Sequence, residues 1–313
     1  MAEYDVVIVG SGVAGLTAGL FAARQGLGTL VLEANVPGGH LMSIERIEDF
    51  PGFPDGIAGY ELCPALQRQA ADHGAELQRA EVTEIAAGDR LWSVATDEGS
   101  HTAKVVIAAM GSRVQELGVP GEERLRGRGV SHCASCDGPL SSGKSVAVIG
   151  GGDSALQEAL TLARYADRVV ILTAGEKFTG QSSYVKRALS ARNIVVRYRL
   201  AIDEVLGDEV VTGVRARELA TGATLQLDFS GVFVYPGLKP NTALLQDILQ
   251  LTPTGHVPTD ASMKTARDGL YAAGDIRQDS AAQAAAAAGD GTTAALAAYR
   301  YIKDCFGPSA AGG

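Results

Sequence analysis

Cysteine is scarce: the 313 residues include only 4. That is too few for a disulfide scaffold, and it turns attention to the one close pair, Cys133 and Cys136, as redox or metal chemistry. Positive charge is also short. Lys+Arg 27 stand against Asp+Glu 36, for a formal net charge of -9. Such a surface repels phosphate backbones and argues against a nucleic-acid partner, so an anionic cofactor must be held by local devices such as helix N-termini. No uninterrupted apolar stretch reaches membrane-spanning length, and no membrane association is expected. Met1-Ala2-Glu3-Tyr4-Asp5 lacks the basic region of a signal peptide, which makes a cytoplasmic protein the expectation.

What the chain does have is length for two domains and a hydrophobic share of 46%, which fits well-filled interiors. It also has an internal echo. Asp5-Val6-Val7-Ile8-Val9-Gly10 is an apolar strand running into glycines and an Ala/Leu-rich helix, followed by a second apolar strand from Leu27 to Glu33. Ser145-Val146-Ala147-Val148-Ile149-Gly150 repeats the pattern, with its second strand from Arg168 to Thr173. Strand, glycine turn, helix and strand make the βαβ unit of a dinucleotide fold. The fold class expected is therefore α/β, with two Rossmann-like three-layer dinucleotide-binding domains, the second inserted in the first.

The first domain is assigned residues 1–113 and 239–313, and the inserted one residues 114–238, with hinges at Gly111-Ser112 and Pro236-Gly237. The last third reads as a return to the first domain, with buried strands at Gly231–Tyr235 and around Gly269–Asp275. A helix is expected from about Ala281 to Tyr301, and a frayed tail from Gly307 to Gly313.

Gly10-Ser11-Gly12-Val13-Ala14-Gly15 is a GxGxxG turn directly after a strand. Gly10 allows the tight turn, Gly12 lets backbone approach a pyrophosphate, and Gly15 lets helix and strand pack closely. Glu33 closes the second strand, where an acid binds ribose hydroxyls. Gly274-Asp275 follows another apolar strand. An Asp there can accept from a ribityl hydroxyl, and the next helix can point its N-terminus at a flavin, which favours FAD over NAD.

Ser131-His132-Cys133-Ala134-Ser135-Cys136-Asp137-Gly138-Pro139 carries the chemistry. The two-residue spacing lets the sulfurs form a small-ring disulfide in which one thiolate attacks and the other resolves. Asp137 can take or give the proton of each exchange, and a protonated His132 would favour a thiolate. Zinc is the rival reading, but it usually needs two such pairs and Cys63 and Cys305 are isolated; no metal is expected. Two core thiols are the plainer alternative.

Over nearly its full length the chain resembles the bacterial low-molecular-weight thioredoxin reductases, FAD-dependent pyridine nucleotide-disulfide oxidoreductases. The likeness rests on GSGVAGLTAG, PGG with EDFPG, CASCDGP, GGGDSA and GLYAAGD, in that order. It implies an FAD domain interrupted by a nicotinamide-binding domain that bears the Cys pair, and a homodimer. It places Gly10, Gly12, Ala14, Gly15, Glu33, Gly38, Gly39, Asp49, Val82, Gly111, Gly274, Asp275, Gln283 and Ala284 around the FAD. It makes Cys136 the flavin-proximal sulfur, Cys133 the attacker of a partner disulfide, and Asp137 the acid/base. The chain departs from the family at His40 (usually Gln), Asp49 (usually Asn), Met110 (usually Thr) and Ala282 (usually Arg).

The second turn, Gly150-Gly151-Gly152-Asp153-Ser154-Ala155, suits a nicotinamide dinucleotide, with Gly150, Gly152, Asp153 and Ser154 as a vestigial site. Thr173-Ala174-Gly175-Glu176-Lys177-Phe178-Thr179 follows its second strand, where the family shows His-Arg-Arg and then another Arg. Each charge-assisted bond to a 2′-phosphate contributes about 1.5–3 kcal/mol, so their loss predicts poor NADPH use. The expected function is electron transfer between FAD, the Cys pair and thioredoxin or a thioredoxin-like protein. The donor is left open among NADPH, ferredoxin, flavodoxin and a second flavin. The rivals are a dithiol oxidase that uses oxygen and a non-catalytic flavin-binding regulator.

Overall fold

The structure is a computed structural model that describes residues 2–307, so all of the tail beyond Gly307 lies outside the described residues. The chain divides into two compact units, Met1–Arg113 with Lys239–Gly313, and Val114–Leu238. The two crossings between them run through short strands, Ser112–Val114 and Leu238–Pro240, paired as a two-stranded ribbon.

The first unit is built on Ala2–Val9, whose Val6–Val9 are all buried, as a parallel strand covered on both faces requires. It pairs in parallel with Thr29–Glu33 on one side and Gly99–Ala108 on the other, in registers Val6↔Thr29 and Val6↔Val105. Glu76–Arg79 extends the sheet beyond Thr29–Glu33, and Leu270–Ala272 joins Gly99–Ala108 in parallel at Leu270↔Val106. The antiparallel meander Val82–Ala87, Trp92–Thr96 completes the other edge. Helices Val13–Arg24 and Ala284–Phe306 cover one face, around Ile8, Ala18, Ile107, Ala294 and Ala298. The opposite face is closed by the meander and the turn Ala243–Leu245, around Leu30, Trp92, Val94 and Leu245.

The second unit has a five-stranded sheet in the order Ile194–Arg197, Arg168–Leu172, Ser145–Ile149, Gly231–Val234, Val130–Ser131, parallel throughout. Helices Asp153–Leu162 and Ser182–Ser190 pack on one face, around Val148, Leu156, Ile171 and Tyr184. A three-stranded antiparallel sheet, Leu200–Leu206, Gly213–Glu218 and Thr224–Asp228, covers the other, around Ile149, Leu172, Val205 and Val214. Both units are Rossmann-like α/β, each with helices on one face and β-structure on the other.

Two expectations are corrected. Gly231–Val234, read as part of the return to the first domain, pairs with Ser145–Ile149 in the inserted unit, within whose assigned bounds 114–238 it lies; a four-residue run buried on both faces fits either sheet equally well by pattern. The alanine-rich helix begins at Ala284 and ends at Phe306. Ala281 and Ala282 lie outside it because Ala282 has φ 49, in the left-handed region, as has Asp279 at φ 57. A chain in that conformation cannot continue a right-handed helix, whatever the propensity of alanine.

Candidate active site

In the first glycine turn, Gly10 has φ +100 and Gly15 lies under it. A Cβ on Gly10 would come within 2.4 Å of the Ala109 carbonyl oxygen, and one on Gly15 within 1.9 Å of the Gly10 carbonyl oxygen. These two positions are closed by backbone and admit only glycine. Gly12 is different: a Cβ there meets nothing within 4 Å. Gly12 caps the helix Val13–Arg24 without a side-chain hydrogen bond, and the first turn holds no acid. The helix's unpaired N–H groups thus face open space, which is the donor set an anionic pyrophosphate takes.

Glu33 reaches back to this turn. Its Oε2 accepts from the Ser11 amide (2.9 Å) and the Ser11 hydroxyl (2.8 Å), and its Oε1 from the Asn35 amide (3.0 Å). A carboxylate accepts about four such bonds, so capacity remains on Oε1 for a ribose hydroxyl. The Gly38 amide donates to the Ser11 carbonyl (2.9 Å), and Gly39 backs onto Gly12. Buried Cys63, whose thiol is pushed up to about 11 by burial, packs beneath Gly38 and donates to its carbonyl.

Gly274 meets the same helix from the other side, its α-hydrogen aimed at Ala14. Its amide donates to Asp290 (3.1 Å), which is buried and bridged twice by Arg277. Asp290 was not foreseen; its sequence signal is an acid between two glycines, Gly289 and Gly291, in an alanine-rich helix. Asp275 accepts from the Ser112 hydroxyl at 3.0 Å. The His40 side chain is drawn down from its ordinary pKa by burial, against the upward pull of Asp275. Gln283 caps the helix that Ala284 opens. Gly111, at φ 61, accepts from the Asn241 amide, while the neighbouring Met110 carbonyl accepts from the Asn241 side chain. Asp49 is exposed on the cleft-lining segment Glu48–Pro54, and Val82 packs against the sheet's second core.

In the inserted unit Cys133 and Cys136 are joined as a disulfide, with Cα atoms 5.3 Å apart. Cys133 caps the short helix Ala134–Asp137, and the Cys136 amide points at its sulfur (3.2 Å). Cys136 is exposed and Cys133 half-buried. The Asp137 amide bonds the Cys133 carbonyl (3.1 Å), which leaves the Asp137 carboxyl one turn from the sulfurs. Glu158 and Tyr235 were also missed: the Ala134 amide is shared between the Glu158 carboxylate (3.1 Å) and the Tyr235 hydroxyl (3.2 Å). His132 does not supply the charge expected of it. Burial and the nearby Arg126 lower its pKa, and its Nε2 stands 4.0 Å from buried Glu122 without a hydrogen-bond partner among the described residues.

The second glycine turn is more crowded. Gly150 is closed by the Tyr235 carbonyl, and a Cβ on Gly152 would lie 3.8 Å from the Thr179 hydroxyl. Thr179 bonds the Gly151 carbonyl through its amide (2.9 Å), and Asp153 accepts from the Gln181 amide (2.6 Å) and side chain (3.1 Å). Ser154 follows in the helix's first turn. At the strand end the Thr173 hydroxyl accepts from Gly175, Glu176 pairs with Arg199 (3.0 Å), and Lys177 is exposed. Among the described residues no group of three or more His, Cys, Asp or Glu is arranged to hold a metal ion, and no helix is long and apolar enough to cross a membrane.

Residues 4–291 match the family model described as pyridine nucleotide-disulphide oxidoreductase. The chain is 40% identical over 300 residues to the thioredoxin reductase of Treponema pallidum, covering 96% of this chain and 97% of that one. Among solved structures, the thioredoxin reductase of Lactococcus lactis superposes with a TM-score of 0.94 at 36% identity, covering 96% and 99% of the two chains. A ferredoxin-flavin thioredoxin reductase of Clostridium acetobutylicum superposes with a TM-score of 0.54 at 28% identity, covering 97% and 99%. With most of its length matched by the family model and by relatives of this closeness, the chain belongs to the pyridine nucleotide-disulphide oxidoreductase family.

Proposed function

We propose that this chain is an FAD-dependent disulfide oxidoreductase of the thioredoxin reductase type, which passes electrons between FAD, Cys133–Cys136 and a thioredoxin-like protein. The observation that carries the proposal is the Cys133–Cys136 disulfide followed by Asp137, in a chain whose first glycine turn is open, uncapped and backed by Glu33. Bound FAD supplies a two-electron carrier. The amides at the N-terminus of Val13–Arg24 would hold its pyrophosphate, Glu33 a ribose hydroxyl and Asp275 a ribityl hydroxyl. Cys133 attacks the partner's disulfide to give a mixed disulfide. Cys136 then closes on Cys133 and releases the partner as a dithiol. Asp137 holds the proton that the leaving thiolate needs and recovers it in the reverse direction.

We infer further that NADPH is a poor donor. Ala174 and Gly175 offer no cation, Arg199 is paired with Glu176, and the Thr179–Gln181 segment rests on the second glycine turn. The likeness to a ferredoxin-flavin thioredoxin reductase supports a one-electron donor such as ferredoxin or flavodoxin. Anaerobic reductive titration tests the core of the proposal. The purified protein should take up about four electrons per chain, two for the flavin and two for the disulfide. An uptake of about two, with no flavin absorbance, would refute it. Mixing with micromolar NADPH in a stopped-flow instrument tests the donor. Rapid flavin bleaching by NADPH, with none by reduced ferredoxin, would reverse that part.

A further inference from the structure

We propose that Glu158 and Tyr235 form a positioning pair that holds the redox helix by the Ala134 N–H and keeps the reduced cysteines protonated as thiols. The proposal rests on the reading of Cys133–Cys136 as the redox centre. Ala134 is fully buried, and its N–H follows directly on Cys133 in the chain. An amide at that place is a natural donor to a thiolate. Here it is turned away from sulfur and shared by the Glu158 carboxylate and the Tyr235 hydroxyl, at 3.1 and 3.2 Å. The sulfur of Cys133 accepts from the Cys136 amide.

The pair is fixed from two sides. Glu158 projects from the helix Asp153–Leu162, which starts at the second glycine turn. Tyr235, only 5% exposed, follows the strand Gly231–Val234, and its own amide is tied to the Ile149 carbonyl. Burial, then Glu158, drive the Tyr235 pKa upward, so the hydroxyl stays protonated and donates to the carboxylate. The charged groups around the redox helix include Asp137 on the helix itself, Glu158 behind it, Arg164 over the ring of Tyr165 that packs on Gly138, and neutral His132 before it, with Glu122 and Arg126 beyond. Of the two carboxylates, Glu158 is the one bonded to the amide next to Cys133, and a negative charge there disfavours a thiolate on that sulfur.

Reducing the pair breaks the S–S bond and takes two electrons from reduced flavin or a partner dithiol. It takes up two protons where both sulfurs end as thiols, and one where a thiolate remains. A charge that disfavours the thiolate thus lowers the reduction potential only at pH values where a thiolate would form.

The test uses the flavin-loaded full chain. Glu158→Gln keeps an acceptor for the Ala134 N–H and removes the charge, while Glu158→Asp retains it. Iodoacetamide alkylation of the reduced protein is followed against pH for each cysteine by mass spectrometry, with Cys63 and Cys305 as internal references. In Glu158→Gln the Cys133 midpoint should fall by about one pH unit, giving roughly tenfold more thiolate at neutral pH. The equilibrium with dithiothreitol should favour the reduced pair tenfold more at pH 9, about 30 mV, and be unchanged at pH 5. Glu158→Asp should restore most of the wild-type midpoint. Tyr235→Phe, which strips a donor from the carboxylate, should move the midpoint the opposite way and serves if Glu158→Gln fails to fold. An unmoved midpoint in Glu158→Gln, or an equal shift of the equilibrium at both pH values, overturns the proposal. A wild-type pair that dithiothreitol cannot reversibly reduce would instead overturn the redox reading, and this proposal with it.

Discussion

The two glycine turns share a plan and differ in what lies over it. In each, the first glycine is locked by a carbonyl: Ala109 over Gly10, and Tyr235 over Gly150. In the first turn the helix begins without an acid, and the acid sits at the end of the next strand, where Glu33 braces the turn through Ser11. In the second, the acid is Asp153 in the helix's own first turn, and the strand is followed by Thr173. An acid in the first turn offsets part of the positive end of the helix, and here it also pins Gln181 beside the turn. One turn is left open to an anion; the other is already engaged by its own chain. A shared motif marks a shared backbone, and the ligand depends on the side chains placed around it.

The largest test of this contrast is at the disulfide. Cys136→Ser should lower disulfide-exchange activity by several orders of magnitude while leaving bound flavin unchanged, measured as turnover with a thioredoxin-like substrate beside the flavin spectrum. Retained turnover would mean that the second unit's chemistry lies elsewhere. Next come the middle glycines. Gly12→Val puts a side chain over the first turn, where its Cβ has no neighbour within 4 Å. Flavin content should drop by more than tenfold, while the flavin-free protein loses only about 1 kcal/mol, the cost of a poorer helix cap. Gly152→Val should leave flavin content as it was. Equal losses from both would erase the distinction between the turns.

A smaller effect is expected from restoring cations to the second turn. The double change Ala174→Arg, Gly175→Arg adds bonds worth about 1.5–3 kcal/mol each to a 2′-phosphate. The KM for NADPH should fall by tenfold or more before kcat changes, in flavin-reduction kinetics. No response would show that the Thr179–Gln181 segment, and not missing charge, is the obstacle. The smallest concerns pH. The folded-state pKa of His132 lies below its ordinary 6.5, so the unfolded chain binds the proton more readily and stability declines as pH falls through that value. His132→Gln should flatten this decline between about pH 6.5 and 5 in urea titrations, and should change nothing at pH 8.

Much of this was legible in the sequence, because a buried parallel strand followed by glycines and a helix is a local pattern. Val6–Val9 with Gly10, and Val146–Ile149 with Gly150, announce themselves within a dozen residues. The sheet to which Gly231–Val234 belongs was not legible, since strand pairing is decided across long separations. Neither was the true start of the helix at Ala284, set by the backbone at Ala282 and not by composition. Asp290, Glu158 and Tyr235 escaped for a related reason: each bonds an amide that lies 16, 24 or 101 positions away in the chain. No spacing rule connects an acid in one helix with an amide in another element.

The strand Leu270–Ala272 covers one edge of Gly99–Ala108, and Ala284–Phe306 packs over the same sheet as Val13–Arg24. Synthesis delivers those pieces only after the whole inserted unit has emerged from the ribosome. During that interval Val106–Ala108 present a bare parallel edge and the Ile8–Ile107 face is covered by Val13–Arg24 alone. The inserted unit, contiguous in the chain, can fold meanwhile by itself. The nascent protein therefore forms its disulfide-bearing half first and its flavin cradle last, and the exposed edge in between is where a chaperone, or an aggregating neighbour, meets it.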